Sequence, residues 1–149
     1  MKYKAKDLNS KYVETYEVVK DFHDKMKKCG WGEGCLPSKY TEELCRVVFD
    51  LGNRMDASHD AIDSSGNKIE IKATIGKSSA TTINTVLTFD QLYWLRFDFD
   101  DDIVYVKVYK NQEVKNYLVS NNKLTGNREN ITLNNIVNGK KDDHTIEFI

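Results

Sequence analysis

A chain of 149 residues with 40% hydrophobic and 30% charged residues has room for one core and one site, and excludes wholesale disorder. The formal net charge of −1 excludes a uniformly basic nucleic-acid binder but not a protein with one basic face, since lysines crowd positions 20–28 while Asp98–Asp102 is nearly all acid. Three cysteines, an odd number, fit reduced thiols. Met1–Asp7 leads into a polar helix rather than an apolar stretch, so a cytoplasmic protein with no membrane partner is expected.

Taken in chain order, Tyr12, Tyr16, Val19, Phe22 and Met26 recur at three- and four-residue steps and predict one long amphipathic helix over 8–26. The glycine-rich stretch Cys29–Gly34 ends it. No strand leads into that stretch and no Lys-Ser or Lys-Thr follows, so it is not a phosphate cradle and no nucleotide cofactor is expected. Pro37-Ser38 opens a second helix through Leu44, Val47, Val48 and Leu51, stopping near Gly52. Asp60–Asp63 and Asn67–Ile75 then read as the strands of a hairpin, and Thr81–Leu87 as a strand or extended loop. Thr88 with Gln91 forms a capping box that predicts a helix carrying Leu92, Tyr93, Leu95 and Arg96. Ile103–Tyr109 is the clearest strand, apolar enough to be central in a sheet. A short helix near Leu133–Val137 and a closing strand, Thr145–Ile149, complete the chain.

The chemistry concentrates in the hairpin. Asp63-Ser64-Ser65-Gly66 suits a type I turn followed by a left-handed glycine. Pairing Asp63 with Asn67 across that loop puts Asp60 opposite Glu70 on one face, about 4.5 to 5.5 Å apart at Cβ. A slip of one residue would send them to opposite faces. Strand alternation adds Lys72 to the same face and turns Ile69, Ile71 and Ala73 to the core. Two carboxylates so close repel unless a cation intervenes, and hard oxygen ligands favour Mg²⁺ with its waters and a substrate phosphate. Acid and lysine at alternate positions also describe the solvated face of an ordinary hairpin. The spaced aspartate, the turn that sets the register, and a helix with Glu42 and Glu43 upstream weigh toward chemistry.

Asp60 with Glu70-Ile71-Lys72 resembles the metal site of the PD-(D/E)-x-K nuclease superfamily. Over thirteen positions, 60 to 72, the order Asp, Ala, aliphatic, Asp, two small or polar residues, Gly, then Glu, aliphatic, Lys is similar to that of PvuII-type restriction endonucleases. The resemblance implies a restriction-endonuclease-like α/β (α+β) fold, a central mixed sheet flanked by helices behind a long N-terminal helix. It implies that Asp60 and Glu70 bind Mg²⁺, that Lys72 handles the attacking water, and that a helical glutamate contributes, for which Glu42 is chosen over Glu43. His59 stands where the superfamily's proline would. The segment after Lys72 is where such enzymes read bases, so Lys77, Ser78, Ser79, Thr81, Thr82, Asn84 and Thr85 are the candidate DNA contacts. Asn and Thr can read base edges, although the PvuII-type histidine cluster has no counterpart here. A fainter likeness, in Leu36-Pro37 through Glu42 and in Lys72-Ala73-Thr74, is to small type II enzymes that cut GCNGC.

Three other features read more plainly. Cys29, Cys35 and Cys45 with His23 lack the closely spaced pairs of a zinc site. Asp98–Asp102 lacks the glycine and terminal glutamate of a calcium loop and reads as a solvated turn. Trp31 and Trp94 are expected in a core or interface, and His59 either near DNA or beside Asp60. The expected protein is a type II restriction endonuclease of a restriction-modification system, one domain over 1–149 with a helical dimerisation region at 1–29 and a catalytic and recognition core at 57–110. It would cut double-stranded DNA as a homodimer on a palindromic site. A homing, repair or junction-resolving nuclease on the same scaffold, and a non-catalytic nucleic-acid-binding or protein-binding module, remain as alternatives.

Overall fold

The structure, a computed structural model, describes all 149 residues. Helix α1 spans Ser10–Lys28 and is capped by Asn9, whose side chain accepts the Lys11 N–H at 3.0 Å. Lys25, Lys27 and Lys28 in its last turn complement the helix dipole. Part of the predicted stripe packs inward: Tyr16 and Val19 are buried in the core and Tyr12 lies against it, whereas Phe22 stays 45% exposed. The Tyr16 hydroxyl and the Lys20 ammonium both donate to Asp102 Oδ1 at 2.8 Å, which pins α1 to the acidic turn. Helix α2, Ser38–Val48, buries Leu44, Cys45 and Val48 against the same core.

A seven-stranded mixed sheet forms the centre. Its strands are β1 (Lys2–Lys4), β2 (Gly52–Asn53), β3 (Ala61–Ile62), β4 (Lys68–Ile75), β6 (Gln91–Asp98), β7 (Ile103–Lys110) and β9 (His144–Glu147), ordered β1-β9-β7-β6-β4-β3-β2. β5 (Ala80–Asn84) and β8 (Arg128–Thr132) form a separate antiparallel ribbon. Helix α3, Asn111–Ser120, follows β7. One face of the sheet, with Ile69, Ile71, Leu95 and Phe97, packs against α1 and α2. The opposite face, with Leu92, Trp94 and Tyr109, packs against α3 and the ribbon through Val114, Leu118, Ile83 and Ile131.

The helix predicted after Thr88 is instead strand β6. It is the middle strand of the sheet, parallel to β4 and antiparallel to β7. Leu92 and Trp94 face one core while Leu95 and Phe97 face the other, so the strand reads as a continuous apolar run, which periodicity alone does not separate from a buried helix. The capping box is absent too: the Thr88 hydroxyl donates to the Ser58 carbonyl. The Ile103 strand, β7, lies one place from the middle, and the expected closing strand corresponds to β9. Of the predicted helix near Leu133, a single 3₁₀ turn over Leu133–Asn135 forms.

The turn between β3 and β4 forms as its residues dictate. Asp63 N–H donates to the Asn67 carbonyl at 3.0 Å, Gly66 N–H donates to the Asp63 carbonyl at 3.1 Å, and Gly66 sits at φ 84°. The Asp63 carboxylate accepts from the Asn67 side-chain amide at 2.9 Å and from the Asn67 and Ser65 N–H groups, which holds its carboxyl below the usual aspartate range and marks it as the turn former. A Cβ added at Gly66 would meet nothing within 4 Å. Gly66→Ala should therefore cost only backbone strain, about 1 kcal/mol. Urea unfolding measures it, and a neutral result would mean the turn does not depend on its left-handed residue.

Candidate active site

The observed ladder pairs Ala61 with Ile69 and Ile62 with Lys68, the register that the three-residue loop predicts. The ladder ends there, leaving the edge of β4 open from Ile71 onward. The Asp60 carboxylate fills the first gap: Oδ2 accepts the Ile71 N–H at 2.7 Å, and Asp60 N–H donates to the Ile69 carbonyl at 2.9 Å. Asp60 is thus fixed beside Glu70 by the backbone of the strand that carries Glu70. Lys72 Nζ lies 3.6 Å from Glu70 Oε1, and both side chains are only 21% exposed. Behind them Ile69 and Ile71 are buried as expected, with Ala73 partly so.

Asp60, Glu70, Lys72 and Glu42 all line one hollow of about 290 Å³, together with Ser38 and Thr41 from α2. Burial first, and then the Asp60 carboxylate, push the Glu70 carboxyl up to about 7 against the opposing pull of Lys72. Glu42 is raised as well, by burial and then by Asp60, with Arg46 opposing from 4.0 Å. Negative charge is therefore under-compensated in this hollow, the condition that a cation relieves. No three or more His, Cys, Asp or Glu side chains gather at metal-binding spacing. Asp60 and Glu70 nevertheless match what Mg²⁺ takes from a protein, one or two carboxylates, with water and substrate phosphate completing its shell.

Sequence reasoning missed Arg46, whose Nη1 donates to the Asp60 carbonyl at 3.0 Å and steadies the strand from α2. The Glu42–Arg46 spacing on one helix face was the available signal. His59 does not pair with the Asp60 carboxylate; its acidic neighbour is Asp56, with Oδ1 3.4 Å from Nδ1. His59 is 1% exposed, with Nε2 accepting the Met55 N–H at 3.1 Å and Nδ1 3.1 Å from Ser58 Oγ, so it braces the loop before β3. Trp94 is in the core, where its indole N–H donates to Thr74 Oγ1 at 2.8 Å, while Trp31 is 70% exposed. Cys45 is buried, and Cys29 and Cys35 are exposed.

The seven expected DNA contacts separate. Thr81 lines the hollow of Asp60 and Glu70. Thr82 and Asn84 occupy the other face of the β5–β8 ribbon, since Ile83 between them is buried. The Thr85 hydroxyl donates to the Gly126 carbonyl, and the Ser79 carbonyl accepts the Leu133 N–H at 2.7 Å, both ties that hold the ribbon. Ser78 lies in a groove with Cys35 and Thr74. Lys77 lies in the turn after β4, in a hollow with Lys27, Arg96 and three carboxylates.

No helix is long and apolar enough to cross a membrane. No curated protein matches the chain. Residues 3–133 match the family model described as Bsp6I restriction endonuclease, a span that takes in both hairpin strands, the hollow and the ribbon. The chain belongs to the Bsp6I restriction endonuclease family, and its activity is accordingly that of a type II restriction enzyme, the cleavage of DNA.

Proposed function

We propose that Asp60 and Glu70 hold a Mg²⁺ ion in the hollow, that Lys72 holds the attacking water as an ammonium or takes its proton as the neutral amine, and that Glu42 assists from α2. The observation that carries this reading is the Glu70 carboxylate, drawn up to about 7 by burial and by Asp60, with the Lys72 ammonium 3.6 Å away. A bound Mg²⁺ supplies Lewis-acid stabilisation of the charge that builds on the phosphate and the leaving oxygen. The protein's own part is positional. Asp60 is locked by Ile71 N–H and Arg46, Glu70 and Lys72 are held on a strand whose other face is core, and Thr81 closes the hollow from the ribbon.

In this reading Thr81 meets DNA at the hollow and Thr82 and Asn84 on the outer face of the ribbon, with Lys77, Ser78, Ser79 and Thr85 contributing from the segments that flank β5, and the target is the GCNGC suggested by the likeness of residues 36–42 and 72–74. Residues 57–110 form the catalytic and recognition core of a single domain over 1–149. One centre per chain serves one strand, so the working form is a homodimer on a palindromic site. A contact within residues 1–29 would use the outer side of α1, where Val18 and Phe22 are exposed, because Tyr16 and Val19 are spent on the core.

One digestion tests these points together. Supercoiled plasmid bearing GCNGC sites, incubated with Mg²⁺, is expected to pass directly to linear products whose sequenced ends share that site. EDTA should abolish cutting. Accumulation of nicked circles alone would contradict the dimer, and ends without a common short sequence would contradict the assigned target.

A further inference from the structure

The β5–β8 ribbon has two unlike faces. Ile83 and Ile131 are both 3% exposed and point into the core. The register pairs Thr82 with Asn130 and Asn84 with Arg128, so strand alternation brings these four side chains together on the opposite, outward face. Ala80 and Thr132 flank them, and that face carries no carboxylate. In a chain with one more acid than base, it is a patch of neutral donors and acceptors around a single guanidinium.

Arg128 is exposed yet oriented. Its Nη2 donates to Thr82 Oγ1 at 2.7 Å, which lays the guanidinium across the ribbon. Arg46 and Arg96, by contrast, each stand against a carboxylate. Arg128 and Asn84 also share a small hollow, about 80 Å³, with Glu70 and Lys72, so the outward face adjoins the place where a phosphodiester would be cut. Two strands about 4.8 Å apart with short polar side chains fit a DNA major groove about 12 Å wide.

We propose that the outer face of the β5–β8 ribbon enters the major groove and that Arg128, steadied by Thr82, reads a guanine of the recognition sequence by bidentate hydrogen bonds to its O6 and N7. The inference rests on the site-specific cleavage argued above and adds a specificity residue from a strand that the sequence reading did not identify. Asn84 and Asn130 flank Arg128 and are placed for neighbouring base edges.

The test uses the whole protein with Mg²⁺ withheld and a duplex carrying the sequence read from its cleavage ends. Binding is measured by fluorescence anisotropy for wild type, Arg128→Ala and Arg128→Lys, with each guanine replaced in turn by 7-deazaguanine, which lacks the N7 acceptor. Wild type is expected to lose about tenfold in affinity at one guanine. Arg128→Ala should bind the cognate duplex about 10- to 100-fold more weakly, keep its affinity for random DNA, and show no further loss at that guanine. Arg128→Lys keeps the charge but not the fork and should behave like Arg128→Ala on the cognate site. The assignment is overturned if Arg128→Ala retains every 7-deazaguanine effect. It is also overturned if cognate and random DNA weaken alike with a salt slope reduced by about one, the mark of a phosphate contact. Either result leaves cleavage by Lys72 untouched, whereas a wild-type protein with no sequence preference would remove the site-specific function and this inference with it.

Discussion

Lys72→Ala is expected to slow cleavage of the cognate site by about 10³- to 10⁴-fold while cognate binding and thermal stability change little. The effect should be large because Lys72 is the cation that lies 3.6 Å from Glu70 in a hollow otherwise lined at its polar positions by Asp60, Glu42, Ser38, Thr41 and Thr81. Without it, no side-chain nitrogen lines that hollow. The effect on folding should be small because Lys72 is on the half-exposed side of β4, whereas Ile69, Ile71 and Ile75 supply that strand's burial. Lys72→Arg separates two roles. A guanidinium can orient water but does not give up its proton, so a loss equal to that of alanine assigns proton transfer to the lysine, and partial activity assigns orientation. Single-turnover cleavage with Mg²⁺ reads both variants. An alanine variant within tenfold of wild type would remove Lys72 from the chemistry.

Glu70→Gln is expected to move stability and activity in opposite directions. A carboxyl raised to about 7 in the folded protein, from an ordinary value near 4.5, keeps its proton in the native state at pH values where the unfolded chain has lost it. The native state then binds more protons than the unfolded one, so the stability of the metal-free protein falls as pH rises from about 4.5 to about 7 and is level above that. The causes are burial and the facing Asp60, which together outweigh the attraction of Lys72. Glutamine removes the buried charge, so at pH 8 in EDTA the variant should melt a few degrees above wild type, the response of a domain of this size to about 1 kcal/mol. At pH 5 the difference should narrow. Added Mg²⁺ should raise the wild-type melting temperature at pH 8 and raise that of the variant much less, because binding only the native state stabilises it. Cleavage should drop by about 10³-fold or more with the loss of a ligand. A variant less stable than wild type at pH 8 in EDTA would show that Glu70 carries no electrostatic penalty.

The hairpin was legible because its determinants are local. The acid, the two serines and the glycine at 63–66 decide the turn, the turn decides the register, and alternation then places Glu70 and Lys72 on one face regardless of what surrounds them. Helix α3 was equally local and was overlooked: Val114, Tyr117 and Leu118 form its buried stripe, and the Glu113 carboxylate caps it by accepting the Lys110 N–H at 2.8 Å. Strands β1 and β8 were not legible in the same way. A three-residue strand such as β1 exists only because it pairs with β9 at the other end of the chain, and β8 only because it pairs with β5.

What the amino-acid order determined by itself, then, is the pair of N-terminal helices, the β3–β4 hairpin and its register, since each follows from neighbours within a few residues through turn geometry and amphipathic spacing. Tertiary structure alone decided that residues 91–98 form the middle strand, because burial on both faces erases the periodicity that would distinguish strand from helix. It also decided that Arg46 steadies Asp60, that Glu42 joins the same hollow, and that Arg128 stands beside Asn84. Such approaches join residues up to 44 positions apart, as Asn84 and Arg128 are, and they depend on how sheet and helices pack, which no local pattern records.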